Sequence, residues 1–427
     1  MSFLQIFDAI KPCAISVYPI IDTGTVTPPS ISIWILIATS SLMAAGWLWI
    51  AAQWMLHGRE LVDLNQVPGD EIPVAPTDGR PQLTVIVPAC NEQHAIAATL
   101  RSLLASEGIR LQIFAVDDRS TDQTGPIMDS LAAEAVPTPH TLEVIHILQL
   151  PPGWLGKPHA LATAARRAGA DWLLFTDGDV LFAPQAAALA LGYAQAQQDD
   201  HLVLMPDLTI KSYDEAALHG ALHALNAWGL RLWRIRDPKA RDFLGVGAFN
   251  LVRRSTYLAL GGFEALRMEV IEDLRFGWLL KRAGFRQRVA LGPGLVSVRW
   301  FEGAWGIVRN LEKNFFALFR YNIPLTMLAA FGVAAQAVLP IAALALPGPT
   351  RIAGILICVG IAGVYIAQRR VTRVPSAYAL AYPLACALFL FAMLRSMVLT
   401  LLRGGVIWRG TLYSLKDLRA HAGTSWR

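Results

Sequence analysis

Cysteine is scarce in this chain: Cys13, Cys90, Cys358 and Cys386 are the only four, and no spacing among them builds a zinc site or a disulfide framework. Two of them sit in apolar runs, so reduced, inert thiols are expected, as in a domain facing the cytoplasm. A clustered basic stripe is also missing, which argues against nucleic acid as a partner. The formal net charge of +5 suits an anionic membrane surface instead. Charged residues make up only 16% of the chain, and they are withheld from long stretches. Ile33 to Leu56, Ile323 to Thr350 and Ile352 to Gln368 carry none, and Ala377 to Leu402 carries only Arg395. At about 1.5 Å rise per residue each run can cross a hydrocarbon core of about 30 Å, the third barely. The first run has no basic segment directly before it, so it reads as an anchor and not as a signal peptide.

What remains is a polar block between Arg59 and Tyr321, long enough for one sizeable domain. The expected division is an amino-terminal segment 1–32, a span 33–56, a linker 57–82, a catalytic domain 83–299, an interfacial helix 300–322, three membrane segments 323–402 and a tail 403–427. Within the block, Leu83 to Pro88 is short, β-branched and apolar, the pattern of a buried parallel strand. Gln112 to Val116, Thr141 to Leu148 and Trp172 to Thr176 repeat it, with helical stretches at His94 to Ser106 and Pro158 to Ala168. That alternation predicts an α/β fold with a mostly parallel sheet. Ligands bind such sheets beyond the carboxyl ends of the strands. Asn91-Glu92, Asp117-Asp118 and Asp177-Gly178-Asp179 all fall at such ends, so the carboxylates converge on one crevice.

Asp177-Gly178-Asp179 places two like charges one residue apart between apolar runs. Asp-Gly is ordinary turn chemistry. The other reading is a divalent cation, since hard oxygen ligands suit Mg²⁺ or Mn²⁺ that also holds a phosphate. His219 and His223, four apart in a helical stretch, have metal-ligand spacing but apolar company and no acidic residue between them, which favours packing.

Five stretches bear on the choice: IVPACNE (86–92), VDDRSTDQT (116–124), GWLGKPHAL (153–161), FTDGDV (175–180) and VIEDLRFGWLLKRAGF (270–285). Their order over residues 83 to 322 resembles membrane-bound glycosyltransferases of family 2, and within them the hopene-associated, carotenoid and ceramide glucosyltransferases that act on lipids. WRGTLY (408–413) is similar to a tail seen in many of these enzymes. The resemblance implies a GT-A nucleotide-sugar domain inserted between transmembrane helices, with inverting transfer of one sugar from a nucleotide-sugar donor, a UDP-sugar. It implies nucleotide-sugar contacts from Pro88, Ala89, Asn91, Glu92, Asp117, Asp118, Lys157 and Asp177. A nucleotide diphosphate leaving group needs cationic neutralisation, so Asp179, with Asp177, is expected to place Mg²⁺ or Mn²⁺. Asp273 matches the family's third acidic motif, implying the general base that inversion requires, with Glu272 beside it. Acids in a first helical turn are the structural alternative. The family's fourth motif is incomplete: Arg299-Trp300 follows Val296 in place of Gln or Arg, and Arg309 rivals Arg299 for the diphosphate. Gly245 to Asn250, with two glycines, suits either a close backbone approach at a pocket floor or a turn into a strand.

Nucleotide sugars are cytosolic, so the domain is expected on the cytoplasmic side of an inner membrane. Arg369, Arg370 and Arg373 agree by the positive-inside rule, but a fourth full crossing would put Arg403, Arg409, Lys416 and Arg419 outside. A re-entrant last segment, broken at Pro383, or an interfacial one would remove the conflict. Trp300 to Asn322, with Trp and Phe among Arg and Lys, reads as a helix lying on the membrane, close to a lipid acceptor, with a linker helix packed on the domain as the alternative. A processive polysaccharide synthase and a transporter or scaffold with a silent domain are the competing readings.

Overall fold

The structure, a computed structural model, describes residues 31–67, 80–134, 139–300 and 302–425. Nearly all of the expected amino-terminal segment, Cys13, residues 68–79 of the linker, residues 135–138, Phe301 and the last two residues lie outside these.

The chain opens with α1 (Ile31–His57) and then builds β1 (Leu83–Ala89), α2 (Ile96–Leu104), β2 (Leu111–Asp118), α3 (Thr124–Ala133), β3 (Thr141–Ile147), α4 (Gly156–Ala165) and β4 (Trp172–Phe175). It continues through β5 (Val180–Phe182), α5 (Ala186–Ala196), β6 (His201–Met205), β7 (Asp207–Leu208), α6 (Tyr213–Asn226), β8 (Asn250–Arg253), α7 (Arg254–Ala259), α8 (Glu272–Arg282), β9 (Gln287–Leu291) and β10 (Val296–Val298). The remainder is α9 (Gly303–Leu318), α10 (Ile323–Ala345), α11 (Pro349–Thr372), α12 (Tyr382–Leu402), β11 (Gly405–Trp408), β12 (Thr411–Ser414) and α13 (Leu415–Ser425).

The α/β expectation holds. Seven strands form one sheet in the order β3-β2-β1-β4-β8-β6-β9, with β8 antiparallel to both neighbours and the other pairings parallel. Every residue of β1 is buried because helices cover both faces, which is why the strand reads as a continuous apolar run. The chain steps from β1 outward to β3, then returns to place β4 on the other side of β1. The order therefore reverses between β1 and β4, where open sheets of this kind place their ligands.

α1, α10, α11 and the stretch Ser376–Leu402 are each long and apolar enough to cross a membrane. Their outward residues, Trp34, Leu42, Trp49, Phe331, Ile352 and Leu384 among them, are exposed, as in side chains that meet lipid. α1 and α11 approach closely at Gly360 and Gly363, where an added Cβ would lie 2.6 Å from the Trp47 side chain and 3.0 Å from Ala51. Small residues at such contacts are how apolar helices pack when burial from water supplies no drive.

α12 differs from the other three. Before it, Arg373 pairs with Asp207 of the α/β body at 3.1 Å. Within it Arg395, and just after it Arg403, pair with Glu312 of α9 at 3.1 and 2.6 Å. Both flanks are therefore held on the same body. α9 is sandwiched: Phe315 meets Phe389 of α12 and Trp305 stacks near Phe391, while Phe316 is fully buried against the carboxyl-terminal segment. Only part of the expected interfacial face, including Trp305, is exposed. Residues 405–425 form a hairpin and a helix packed on the body, not a loose tail.

α8 lies so close to residues 244–247 that a Cβ on Gly277 would stand 2.2 Å from the Leu244 carbonyl oxygen. Gly277→Ala should destabilise the protein by roughly 1–3 kcal/mol, the usual range for forced overpacking. Gly229→Ala, with open space around it, should leave the thermal midpoint unchanged.

Candidate active site

β1, β2 and β4 end side by side, with Ala89 in register with Asp117. The loops that leave them are laced by side-chain caps. Asn91, held at a positive φ of 57°, accepts from the Thr121 amide at 2.8 Å, and the Glu92 amide donates to Thr124. Asn91 thus shapes the loop, while Pro88 and Ala89 belong to the buried strand. Asp117 accepts from Ser120 and faces His146 at 3.0 Å, whose other ring nitrogen faces Asp129. Asp118 is buried and bound by Arg119 through both guanidinium contacts. Both acids are therefore already engaged on the β2 side of the crevice.

On the β4 side a lysine organises the site. Lys157, at the start of α4, lies 2.6 Å from Asp177 and 2.7 Å from Glu272. Asp273 accepts from the amides of Gly247 at 2.8 Å and Leu274 at 2.7 Å. The glycines of the 245–250 stretch make this approach possible: a Cβ on Gly247 would be 2.5 Å from an Asp177 oxygen, and one on Gly245 would overlap the Asp273 carbonyl. Side chains from α4, the β4 turn and α8 thus meet over a floor where Gly245 and Gly247 present only backbone.

The electrostatics separate the acids. Burial opposes ionisation of Asp177, but Lys157 wins and holds its carboxyl below the usual range. Burial raises Glu272 and Asp273, with Lys157 opposing in both. Asp179 has no such partner: burial, then Asp177 and Glu92, push its carboxyl up to about 7. A proton or a cation would relieve it. Among the described residues no group of three or more His, Cys, Asp or Glu is preformed for a metal. One carboxylate beside a diphosphate and water is nonetheless an ordinary setting for Mg²⁺.

The two arginines expected at the diphosphate are not brought to this cluster. Arg299, at the end of β10, is drawn away by Glu302 at 2.8 Å and Glu215 at 3.4 Å. Arg309 projects from α9 into a cavity beside the crevice, whose lining also includes Arg409. The guanidinium at the crevice is Arg409, at the tip of the β11–β12 hairpin, which donates to the Cys90 carbonyl and lies 2.8 Å from Glu92. Lys313 of α9 stands behind it, over the Trp408 ring at 4.4 Å. The WRGTLY stretch marked the place. The signal for Arg409 itself was its position before Gly410 at a tight turn.

Residues 84–258 match the family model described as glycosyl transferase family 2, a span that ends before Glu272 and Asp273. No curated protein matches the sequence. Among solved structures, a mannosyltransferase from Pyrobaculum calidifontis in complex with GDP-Man and Mn²⁺ is 19% identical, with 86% of this chain and 99% of that one covered and a TM-score of 0.42. S. aureus TarS, residues 1–349, is 15% identical, with 78% and 95% covered and a TM-score of 0.36; it has also been solved with UDP-GlcNAc. Likeness at this level adds nothing to what the chain's own residues say.

Asp179 generates a pH prediction. Its folded value is raised, so the folded state holds the proton more tightly, and this acid's contribution to stability falls as pH rises from about 4 to about 7. With a chelator present, Asp179→Asn should raise the thermal midpoint at pH 8 and flatten that part of the profile. At about 1.4 kcal/mol per pKa unit the gain is below about 4 kcal/mol, and partial solvent screening lowers it further.

Proposed function

We propose that the protein is an inverting glycosyltransferase that moves one sugar from a nucleotide-sugar donor, a UDP-sugar, to a hydroxyl of a membrane lipid. The observation that carries this reading is Lys157 binding Asp177 and Glu272, with Asp273 beside them, at the sheet's switch point and next to apolar helices. In this reading residues 83–299 are the catalytic domain and 31–57 an anchor. Pro88, Ala89, Asn91, Glu92, Asp117 and Asp118 line the base and ribose side. Lys157 and Asp177 face the diphosphate.

Asp179 would hold Mg²⁺ or Mn²⁺ together with the donor's phosphates, and the ion would neutralise charge as the glycosidic bond breaks. Asp273 takes the proton from the acceptor hydroxyl. Its two backbone amide bonds fix the carboxylate, and a carboxyl raised by burial is a better base near neutral pH. Glu272 positions Lys157. Arg409 supports the diphosphate in the role first expected of Arg299.

Cytosolic donors place the domain on the cytoplasmic side of an inner membrane. α1, α10 and α11 then cross, whereas α12, an unbroken helix with Pro383 in its first turn and not at a break, lies along the interface with both flanks fixed to the body. Arg403, Arg409, Lys416 and Arg419 then lie on the cytoplasmic side, with Arg369, Arg370 and Arg373, as the positive-inside rule prefers.

Mass spectrometry of lipids from cells with and without the protein should show a lipid gaining one sugar. With purified protein, Asp273→Asn should keep donor binding and lose transfer by about 10²- to 10⁴-fold, and a loss below about tenfold would place the base elsewhere. Arg409→Ala should lower transfer more than Arg299→Ala. The topology is checked by cysteine labelling in a cysteine-free background. Lys416→Cys should react from the cytoplasmic face and Pro347→Cys from the opposite face, and labelling of both from one face contradicts it.

A further inference from the structure

Between α9, the end of α12 and the β11–β12 hairpin lies an open cavity of about 320 Å³. Its walls carry four cations, Arg309, Lys313, Arg403 and Arg409, against one carboxylate, Glu312. That carboxylate is already engaged by Arg395 and Arg403, and Arg409 leans on Glu92. Among the described residues, neither Arg309 nor Lys313 has an acidic side chain within ion-pair distance. Lys313 rests on the Trp408 ring, and Arg309 lies 6.0 Å from that of Trp305. Burial lowers the Lys313 ammonium to about 8, a shift that a bound anion would reverse. The cations face an anion that the fold does not supply.

We propose that this cavity seats the phosphate of the acceptor lipid's headgroup. The proposal rests on the lipid-acceptor reading above and narrows it to phosphate-bearing lipids. Position favours a lipid over the donor's diphosphate as the source. Ile407 of the lining is 47% exposed and Leu402, next in the chain to the lining residue Arg403, is 77% exposed, so acyl chains can continue along apolar side chains that a nucleotide has no use for. Arginine and lysine are the side chains that bind phosphate through charge-assisted hydrogen bonds. The inner wall adjoins the crevice, because Arg409 touches Glu92 and the field of Lys313 reaches Glu272 and Asp177. A headgroup anchored here extends its free hydroxyl toward Asp273.

The test is titration calorimetry on the detergent-purified full chain. The probes are dihexanoylphosphatidylglycerol below its micellar concentration, dihexanoylglycerol as the uncharged counterpart, and UDP. The phospholipid should bind at least about tenfold more tightly than the neutral lipid and should still bind in the presence of UDP. Arg309→Gln and Lys313→Met should each weaken the phospholipid by about tenfold and leave UDP within about twofold. Arg309 is exposed, so its variant tests the cavity even if the half-buried Lys313 variant folds poorly. Equal binding of the neutral lipid, or no phospholipid binding, overturns the proposal. Weakened UDP with unchanged phospholipid assigns the cavity to the donor and overturns it as well. Phospholipid binding with the expected variant losses, but no sugar added to any lipid in cells, would defeat the transferase reading and leave the cavity assignment standing. Transfer to an uncharged lipid, with no phospholipid bound, does the reverse.

Discussion

The ammonium of Lys157 is the constraint on which the rest of the centre depends. Asp177 and Glu272 come from elements more than ninety residues apart; the Lys157 ammonium compensates the buried Glu272 carboxylate and holds the half-exposed Asp177 beside it. Removing one partner of a buried ion pair typically costs about 3–5 kcal/mol, because the other is left uncompensated. Gly245 and Gly247 belong to the same device, since a side chain on either would push α8 or the β4 turn out of reach. The lysine also explains how two aspartates separated by one glycine become chemically different. It satisfies Asp177 and leaves Asp179 wanting a counter-charge.

How much of this was legible in the sequence depends on the range of the interaction. The strands announced themselves because β1, β2 and β4 are covered on both faces and so are apolar throughout or nearly so. Acids at strand ends follow from the same local grammar, and the structure does bring Asp177, Glu272 and Asp273 around Lys157. Arg299 shows where this fails. Its motif is local, but its orientation is set by Glu215 on α6 and Glu302 beside it, and no spacing rule predicts that competition. Arg409 is harder still, since it reaches Glu92 across more than three hundred residues. Phe316 illustrates a third limit: an aromatic in a basic, amphipathic stretch looks the same whether it meets lipid or a packed carboxyl-terminal segment.

The membrane segments follow the same logic. Hydropathy finds helices but not the faces they join. Only the ion pairs of Arg373, Arg395 and Arg403 show that α12 has both flanks on one body. A charge inside an apolar helix signals a polar neighbour, and here that neighbour is Glu312. Glu312 on α9 and Asp207 on β7 thus tie the α/β body to the helices by charge.

The hairpin tip has a consequence for where the working unit ends. Arg409 occupies the Cys90 carbonyl and the Glu92 carboxylate, so one wall of the crevice is contributed by the far end of the chain. The α/β body alone, excised as a soluble fragment, would keep its sheet and its lysine but lose that wall. Such a fragment would be a nucleotide-fold without its own lid, and its behaviour in solution would be a poor guide to the whole chain. The minimal functional module therefore runs through β12, with the helices enclosed as structural members of the pocket and not merely as anchors.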